Sequence, residues 1–216
     1  METNKYDIDQ LIKEKEQNKK MEIIWVARFI KWKHPEVVIK LAKNLKKQNY
    51  NFEIKMLGTG VLQEKIKKVV AKEKLDDVVK IVGQVPSDKV KDYMEKANIF
   101  IATSDSSEGW GAVINEAMNA GCAIVANKKM GSVPFLIQDN ENGMMYEKYE
   151  DLELKIKKLV DNKELRTKLS KNAYEYITQK WTSSIAAENL IELFESVMNG
   201  KESKIKNGPA SKAKKI

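Results

Sequence analysis

The sequence is poor in the residues that build disulfides and metal sites. It has one cysteine, Cys122, and one histidine, His34, in 216 residues. A single cysteine excludes an intrachain disulfide, and its place in the apolar run CAIVA predicts a small buried side chain in a reducing compartment. No Cys/His cluster has metal-ligand spacing, and a Ser-His-Asp triad would have to use His34. The functional residues therefore have to be sought among other types.

Long apolar runs are also missing from the sequence. No run approaches the roughly 20 residues that span a bilayer, and the first ten residues, METNKYDIDQ, do not resemble a signal peptide. We therefore expect a soluble, cytoplasmic protein. Hydrophobic residues make up 42% of the chain, which is enough for a sizeable core.

Positive charge is concentrated at one end of the chain. The formal net charge is +8, and residues 201–216 hold six lysines and one glutamate. The remainder is close to neutral for its size, so no nucleic-acid partner is expected. We predict a basic disordered tail over residues 201–216 and a polar linker over residues 1–20. Weak contact between the lysines and the anionic inner face of a membrane is an open alternative.

Short apolar, β-branched runs alternate with longer amphipathic stretches. The runs cover residues 22–27, 52–57, 78–82, 98–102 and 122–126. Most lack strict alternation, which is typical of parallel strands covered on both faces. The helical patterns cover residues 37–48, 62–74, 87–97 (with Ser87 as N-cap), 151–162, 163–180 and 183–198. The alternation predicts an α/β fold over residues 21–200, a Rossmann-like parallel sheet flanked by helices, with extra C-terminal helices.

Polar residues and glycines follow each predicted strand. They are Arg28, Gly58-Thr59-Gly60, Gly83-Gln84-Val85, residues 103–111 and residues 128–132. Ligands of open α/β sheets bind at the carboxyl ends of strands, although glycines also end strands for structural reasons. The pair Gly58 and Gly60 resembles part of a dinucleotide fingerprint, but the third glycine is missing. A nicotinamide cofactor is therefore not expected.

The segment SSEGWGAVINEAMNAGCAIVAN, residues 106–127, is the most distinctive. It joins Glu108 and Glu116 through a glycine-rich turn that opens an amphipathic helix, whose N-terminus suits a phosphate group. If most of the intervening residues are helical, eight steps place the glutamates about 12 Å apart along the axis. A glycosidase pair would lie roughly 5 to 9.5 Å apart, so the spacing better suits two ends of an extended ligand.

Two cations follow the first predicted strand. Arg28 and Lys33 lie five residues apart in ARFIKWKHPE. They are either solvated charges near a helix start or a diphosphate clamp, in which arginine supplies a planar fork of donors and lysine a mobile point charge. The residues alone leave both readings open.

These motifs resemble those of a known enzyme family. EGWGAVINEAM is similar to the E-x7-E segment of retaining GT-B glycosyltransferases of family 4, and ARFIKWK is similar to their G-R-L-x-x-x-K segment. The resemblance covers about residues 21–199 and implies the C-terminal, donor-binding half of the GT-B fold. Ala27 and His34 stand where the family usually has glycine, so the loop is expected to differ in shape.

The resemblance also implies roles for individual residues. Catalytic roles fall to Arg28 and Lys33, on the donor phosphates, and to Glu108, near the transferred sugar. The remaining candidates are substrate-binding residues: Glu116 on the ribose, the backbone of Gly109, Trp110 and Gly111 on sugar and phosphate, Val85 at the base, and Gly58 and Thr59 after the second strand. No metal and no cofactor are expected, since the two cations can neutralise the diphosphate.

The function implied is transfer of a sugar from a nucleotide-diphosphate sugar to an acceptor hydroxyl with retention, in polysaccharide or glycoconjugate synthesis. About 20 residues precede the first predicted strand, so we expect the enzyme to be incomplete without an N-terminal acceptor domain, supplied in cis or in trans. Two alternatives remain. One is a non-catalytic nucleotide-binding or assembly module, and the other is a basic protein that docks on membrane or nucleic acid.

Overall fold

The structure is a computed structural model and describes residues 7–213. Its strands are β1 (Met21–Val26), β2 (Phe52–Leu57), β3 (Val79–Gly83), β4 (Ile99–Ala102), β5 (Ala123–Asn127) and β6 (Met144–Tyr146). They form a parallel sheet in the order β3-β2-β1-β4-β5-β6. The chain reverses its direction of travel across the sheet between β1 and β4, and such a switch point opens a crevice at the carboxyl ends of the strands.

Helices cover both faces of the sheet. They are α1 (Ile8–Lys15), α2 (Pro35–Lys47), α3 (Gln63–Lys72), α4 (Ser87–Met94), α5 (Val113–Asn119), α6 (Val133–Leu136), α7 (Tyr149–Asp161), α8 (Lys163–Lys180) and α9 (Ser183–Met198). A short 3-10 turn, Lys31–Lys33, precedes α2. One face of the sheet packs on α2, α3 and α7, and the other packs on α4, α5, α6 and α8. This two-sided burial explains the continuous apolar runs and confirms the predicted α/β fold.

Local patterns located most elements closely. The predicted strands agree with β1 to β5 to within one residue, and the last two helical patterns coincide with α8 and α9. The strand β6 was missed because it has three residues, too few to show a period. Ser87 is the first residue of α4 rather than its N-cap, which is Pro86, and no side chain caps that helix.

Residues 1–20, predicted as a polar linker, include a helix in the part that the structure describes. The helix α1 packs against the body of the fold, and the Lys15 side chain is buried with 3% of its surface exposed. Its Nζ donates to the carbonyls of Ala120 (2.6 Å), Gly121 (2.9 Å) and Met94 (3.2 Å). The buried lysine of this polar segment thus meets acceptors contributed by distant parts of the chain. Residues 1–6 lie outside the described residues.

The described part of the predicted disordered tail, residues 201–213, folds back against α9. The Glu192 carboxylate accepts from the Lys204 backbone N–H (2.9 Å) and the Ser203 hydroxyl (2.8 Å). Asn189 Nδ2 donates to the Pro209 carbonyl (2.7 Å). These bonds place the tail on the helix despite its lysine-rich composition, and residues 214–216 lie outside the described residues. Among residues 7–213, none of the helices has the length and apolar character needed to cross a bilayer.

Candidate functional site

The loops after β1 and β2 are locked together at the carboxyl edge of the sheet. The Phe29 N–H donates to the Thr59 carbonyl (2.8 Å), and the Leu62 N–H donates to the Phe29 carbonyl (2.9 Å). A Cβ on Gly58 would lie 2.0 Å from the Ala27 carbonyl oxygen, so no larger residue fits there. Gly58 thus has a packing role, while Thr59 is exposed at the rim. Their predicted contact with substrate stays a prediction.

The two candidate phosphate ligands, Arg28 and Lys33, follow β1 and differ in their surroundings. Arg28 is exposed, with its guanidinium carbon 5.9 Å from the centre of the Trp32 ring. The Lys33 side chain is 12% exposed and its ammonium pairs with Glu108 Oε2. Burial lowers the pKa of Lys33, and the charge of Arg28 lowers it further. The Glu108 carboxylate opposes both effects by favouring the charged amine.

Glu108 lies in the loop after β4, across the switch point from Lys33. Its N–H donates to the Asp105 carbonyl (3.1 Å), and its own carbonyl accepts from the Gly131 N–H (3.2 Å). A Cβ on Gly131 would lie 1.7 Å from the Gly109 carbonyl oxygen, so the two loops are in backbone contact. This packing fixes the position of Glu108 from both sides.

Gly111 opens the turn into α5 with a φ of +74°. A Cβ there would also meet Met130 Cε at 2.4 Å, but that methyl ends a flexible side chain that can move, so it is the positive φ that favours glycine. The helix starts at Val113, so the first half of the step from Glu108 to Glu116 is not helical and the 12 Å estimate from helical rise does not hold. Glu116 faces solvent, and the partial burial of its carboxyl raises its pKa.

The Trp110 side chain packs away from the rim. Its ring lies 5.4 Å from that of Phe135 and 5.3 Å from that of Trp181, and its Nε1 donates to Asn115 Oδ1 (3.0 Å). The Phe135 ring thus packs against the tryptophan. Trp110 is half-buried, and the predicted contact of its backbone with sugar and phosphate stays a prediction.

Val85 lies away from this cluster, after the edge strand β3. It borders a cavity of about 520 Å³ between β3 and α4, together with Val82, Gln84, Pro86 and Tyr93. The structure brings Arg28, Lys33 and Glu108 together at the switch point and leaves Val85 two strands away. Its contact with a base stays a prediction.

Sequence reasoning missed the residues that tie the two central loops to each other. Thr103 accepts from Trp25 Nε1 (2.8 Å) and donates to the Lys33 carbonyl. The Asp105 N–H donates to the Trp32 carbonyl (3.0 Å). The sequence placed polar residues after the fourth strand, but no local pattern could pair them with residues about 70 positions earlier.

A metal site was not expected from the sequence. Across the described residues, the structure shows no group of three or more His, Cys, Asp or Glu side chains that could hold a metal ion.

Comparison with known proteins gives the family. A family model described as Glycosyl transferases group 1 matches residues 7–176. The chain belongs to this family. Its relatives include an uncharacterized glycosyltransferase of Methanocaldococcus jannaschii, 30% identical over 197 residues that cover 88% of this chain and 49% of the relative. The amylovoran biosynthesis glycosyltransferase AmsK of Erwinia amylovora is 33% identical over 58% of this chain and 32% of its own length.

Solved structures agree on the fold. A mutant of TarM from S. aureus, in complex with fondaparinux, alpha-GlcNAc-glycerol and UDP, is similar with a TM-score of 0.72 and 26% identity, covering 82% of this chain and 36% of TarM. The C-terminal domain of the group 1 glycosyl transferase LpcC from Francisella tularensis has a TM-score of 0.67 and 24% identity, covering 82% of this chain and 93% of that domain. The predicted GT-B relationship is therefore confirmed. The group 1 chain spans about a third to a half of the length of the curated relatives it matches.

Proposed function

We propose that this group 1 chain is the donor-binding half of a retaining glycosyltransferase that uses a nucleotide-diphosphate sugar. The observation that carries the proposal is the ion pair between Lys33 and Glu108 at the switch point between β1 and β4. It joins a candidate phosphate-binding side chain to a candidate sugar-binding side chain, at the edge where α/β sheets bind their substrates. The E-x7-E resemblance supports retention.

Each side chain has a proposed part in binding and transfer. Arg28 and Lys33 hold the diphosphate and stabilise the charge that develops on the leaving nucleoside diphosphate, without a metal. Glu108 addresses the sugar, and Glu116 accepts hydrogen bonds from the ribose. The exposed Gly109 leaves open space where a ligand can approach the backbone.

Relatives support a nucleotide-sugar donor and a polysaccharide or glycoconjugate product. The TarM complex contains UDP and alpha-GlcNAc-glycerol. Two relatives are named for biosynthesis of the polysaccharides amylovoran and colanic acid. By this proposal the chain moves a sugar from such a donor to an acceptor hydroxyl.

By this proposal, sugar transfer also needs an acceptor-binding domain in addition to this donor-binding half. The acceptor hydroxyl must be held about 3 to 3.5 Å from the anomeric carbon and shielded from water. We place this task in an N-terminal acceptor domain, in cis or in trans.

Calorimetric titration with UDP, GDP and ADP in the presence of EDTA tests the donor site. We expect one nucleoside diphosphate to bind without a divalent cation, and its sugar conjugate to bind as well. Absence of binding for all three, or strict dependence on magnesium, would contradict the proposal. Binding without any transfer when an acceptor domain is present would favour a non-catalytic nucleotide-binding module.

A further inference from the structure

His34 closes the loop that carries the two candidate phosphate ligands. It lies between the 3-10 turn and α2 in a left-handed conformation, with φ 48° and ψ 53°. A residue other than glycine rarely adopts this conformation, because the side chain then crowds the backbone. Other contacts of His34 must therefore compensate for the strain.

Both ring nitrogens of His34 face carboxylates from different elements. Nε2 lies 2.9 Å from Asp105 Oδ2, and Nδ1 lies 3.0 Å from Glu36 Oε1. Ionised carboxylates only accept hydrogen bonds, and neutral imidazole has one N–H, so only the imidazolium can donate to both. Burial lowers the pKa of His34, but the hydrogen bonds to Asp105 and Glu36 outweigh it and hold the pKa above its usual value.

Asp105 connects His34 to the turn that carries Glu108. Its Oδ1 accepts from the Ser107 N–H (2.8 Å), and its carbonyl accepts from the Glu108 N–H (3.1 Å). Its own N–H donates to the Trp32 carbonyl (3.0 Å). One carboxylate thus connects the loop after β1 with the turn that presents Glu108. We call His34, Asp105 and Glu36 the histidine clasp.

We propose that His34 is a positioning residue whose imidazolium holds Glu108 in place beside Lys33, so that binding of a sugar nucleotide weakens when His34 loses its proton. This inference rests on the proposed function. Because the carboxylates favour the protonated form, the clasp is complete below about pH 6.5 and is lost as the pH rises through the raised folded pKa. Besides Glu36 and Asp105, which face the ring, the preceding turn carries the charges of Lys31 and Lys33. Lys33 faces Glu108, and Lys31 is exposed.

Amide exchange tests the clasp with no nucleotide present. His34 is the single histidine of the sequence, so its ring protons give one unambiguous titration by NMR. We expect the protection of the Ser107 and Glu108 amides, corrected for intrinsic exchange, to fall over the pH range in which the ring titrates. The variant His34→Gly removes the clasp and its strain, and should show low protection that does not follow that titration. Equal protection in wild type and variant at every pH would overturn the proposal.

The variant His34→Asn is a matched control. Asparagine tolerates a left-handed backbone and its amide can donate to Asp105, but it does not titrate near neutral pH. We expect it to keep part of the amide protection at all pH values. A pH dependence as steep as that of wild type would show that another group is responsible.

Titration with UDP and UDP-glucose near pH 6 and pH 8 tests the consequence for binding. In wild type, affinity for UDP-glucose should fall relative to UDP by roughly fivefold or more between the two pH values, and this change should be absent in His34→Gly. A parallel loss for both ligands would mean that His34 only supports the fold. If UDP, GDP and ADP all fail to bind, the proposed function is wrong, and amide exchange still decides whether His34 positions Glu108.

Discussion

Two clusters, each made of two cations and one carboxylate, hold distant parts of this chain together. They differ in how many of their hydrogen-bond donors already have a partner. The anchor cluster consists of Lys15, Glu16 and Arg166. Arg166 donates to both oxygens of the Glu16 carboxylate, from Nε (3.0 Å) and Nη2 (2.6 Å), while Nη1 donates to the Leu159 carbonyl. Together with the carbonyls around Lys15, these contacts engage both cations of the anchor cluster.

The rim cluster consists of Arg28, Lys33 and Glu108. Arg28 is exposed beside the Trp32 ring, and Lys33 is held by a single carboxylate. Burial lowers the pKa of both Lys15 and Lys33, so a shifted lysine pKa does not distinguish the two clusters. Unused donors at the carboxyl edge of the sheet support the rim cluster, rather than the anchor cluster, as the proposed binding site.

The largest expected effect is on the stability conferred by the anchor cluster. Glu16→Ala should lower the free energy of unfolding by about 3 to 5 kcal/mol, because it leaves the buried Arg166 guanidinium unpaired. Urea unfolding measures the change. The control is Glu14→Ala, an exposed position in α1 two residues before Glu16, which should change stability by about 0.5 kcal/mol or less. If both substitutions changed the free energy of unfolding equally, the anchor cluster would have no special role in stability.

Substitutions of two glycines at the rim should separate an effect on stability from an effect on binding. Gly131→Ala should destabilise the fold by about 1 to 3 kcal/mol, because its Cβ would collide with the Gly109 carbonyl oxygen. Gly109→Ala meets no atom within 4 Å, so it should leave stability nearly unchanged and weaken only sugar-nucleotide binding. Thermal unfolding and calorimetry on both variants check this. A stable Gly131→Ala protein would contradict the backbone contact between the loops.

Arg28 should contribute to nucleotide binding and very little to the stability of the fold. Arg28→Ala is expected to weaken nucleoside diphosphate binding by about 1.5 to 3 kcal/mol, the scale of a charge-assisted hydrogen bond. Its unfolding free energy should change little, since the side chain is exposed. Lys31→Ala, an exposed cation on the same loop, is the matched control in calorimetry. Unchanged affinity in Arg28→Ala would argue against the clamp.

The smallest and most selective effects should come from the two glutamates. Glu116→Ala should weaken nucleoside diphosphate and sugar nucleotide alike by about 1 to 2 kcal/mol, because both contain ribose. Glu108→Ala should penalise the sugar nucleotide alone, since its loss frees Lys33 for phosphate. Binding isotherms with both ligands check the assignment. If both variants lose the same affinity for the nucleoside diphosphate, the assignment of Glu108 to the sugar and Glu116 to the ribose is wrong.

The sequence by itself determined the order of strands and helices, the α/β class and the candidate residues at the rim. These follow from short-range patterns, namely apolar runs, helical periodicity and glycines at strand ends, which neighbouring residues encode. Only the tertiary structure decided that Lys15 is buried, that Lys33 pairs with Glu108, and that His34 faces Asp105. Each of these contacts joins residues about 70 to 105 positions apart. From the sequence alone, these polar side chains are expected to face solvent. Their partners come close only when the sheet packs, and no local sequence pattern encodes that packing.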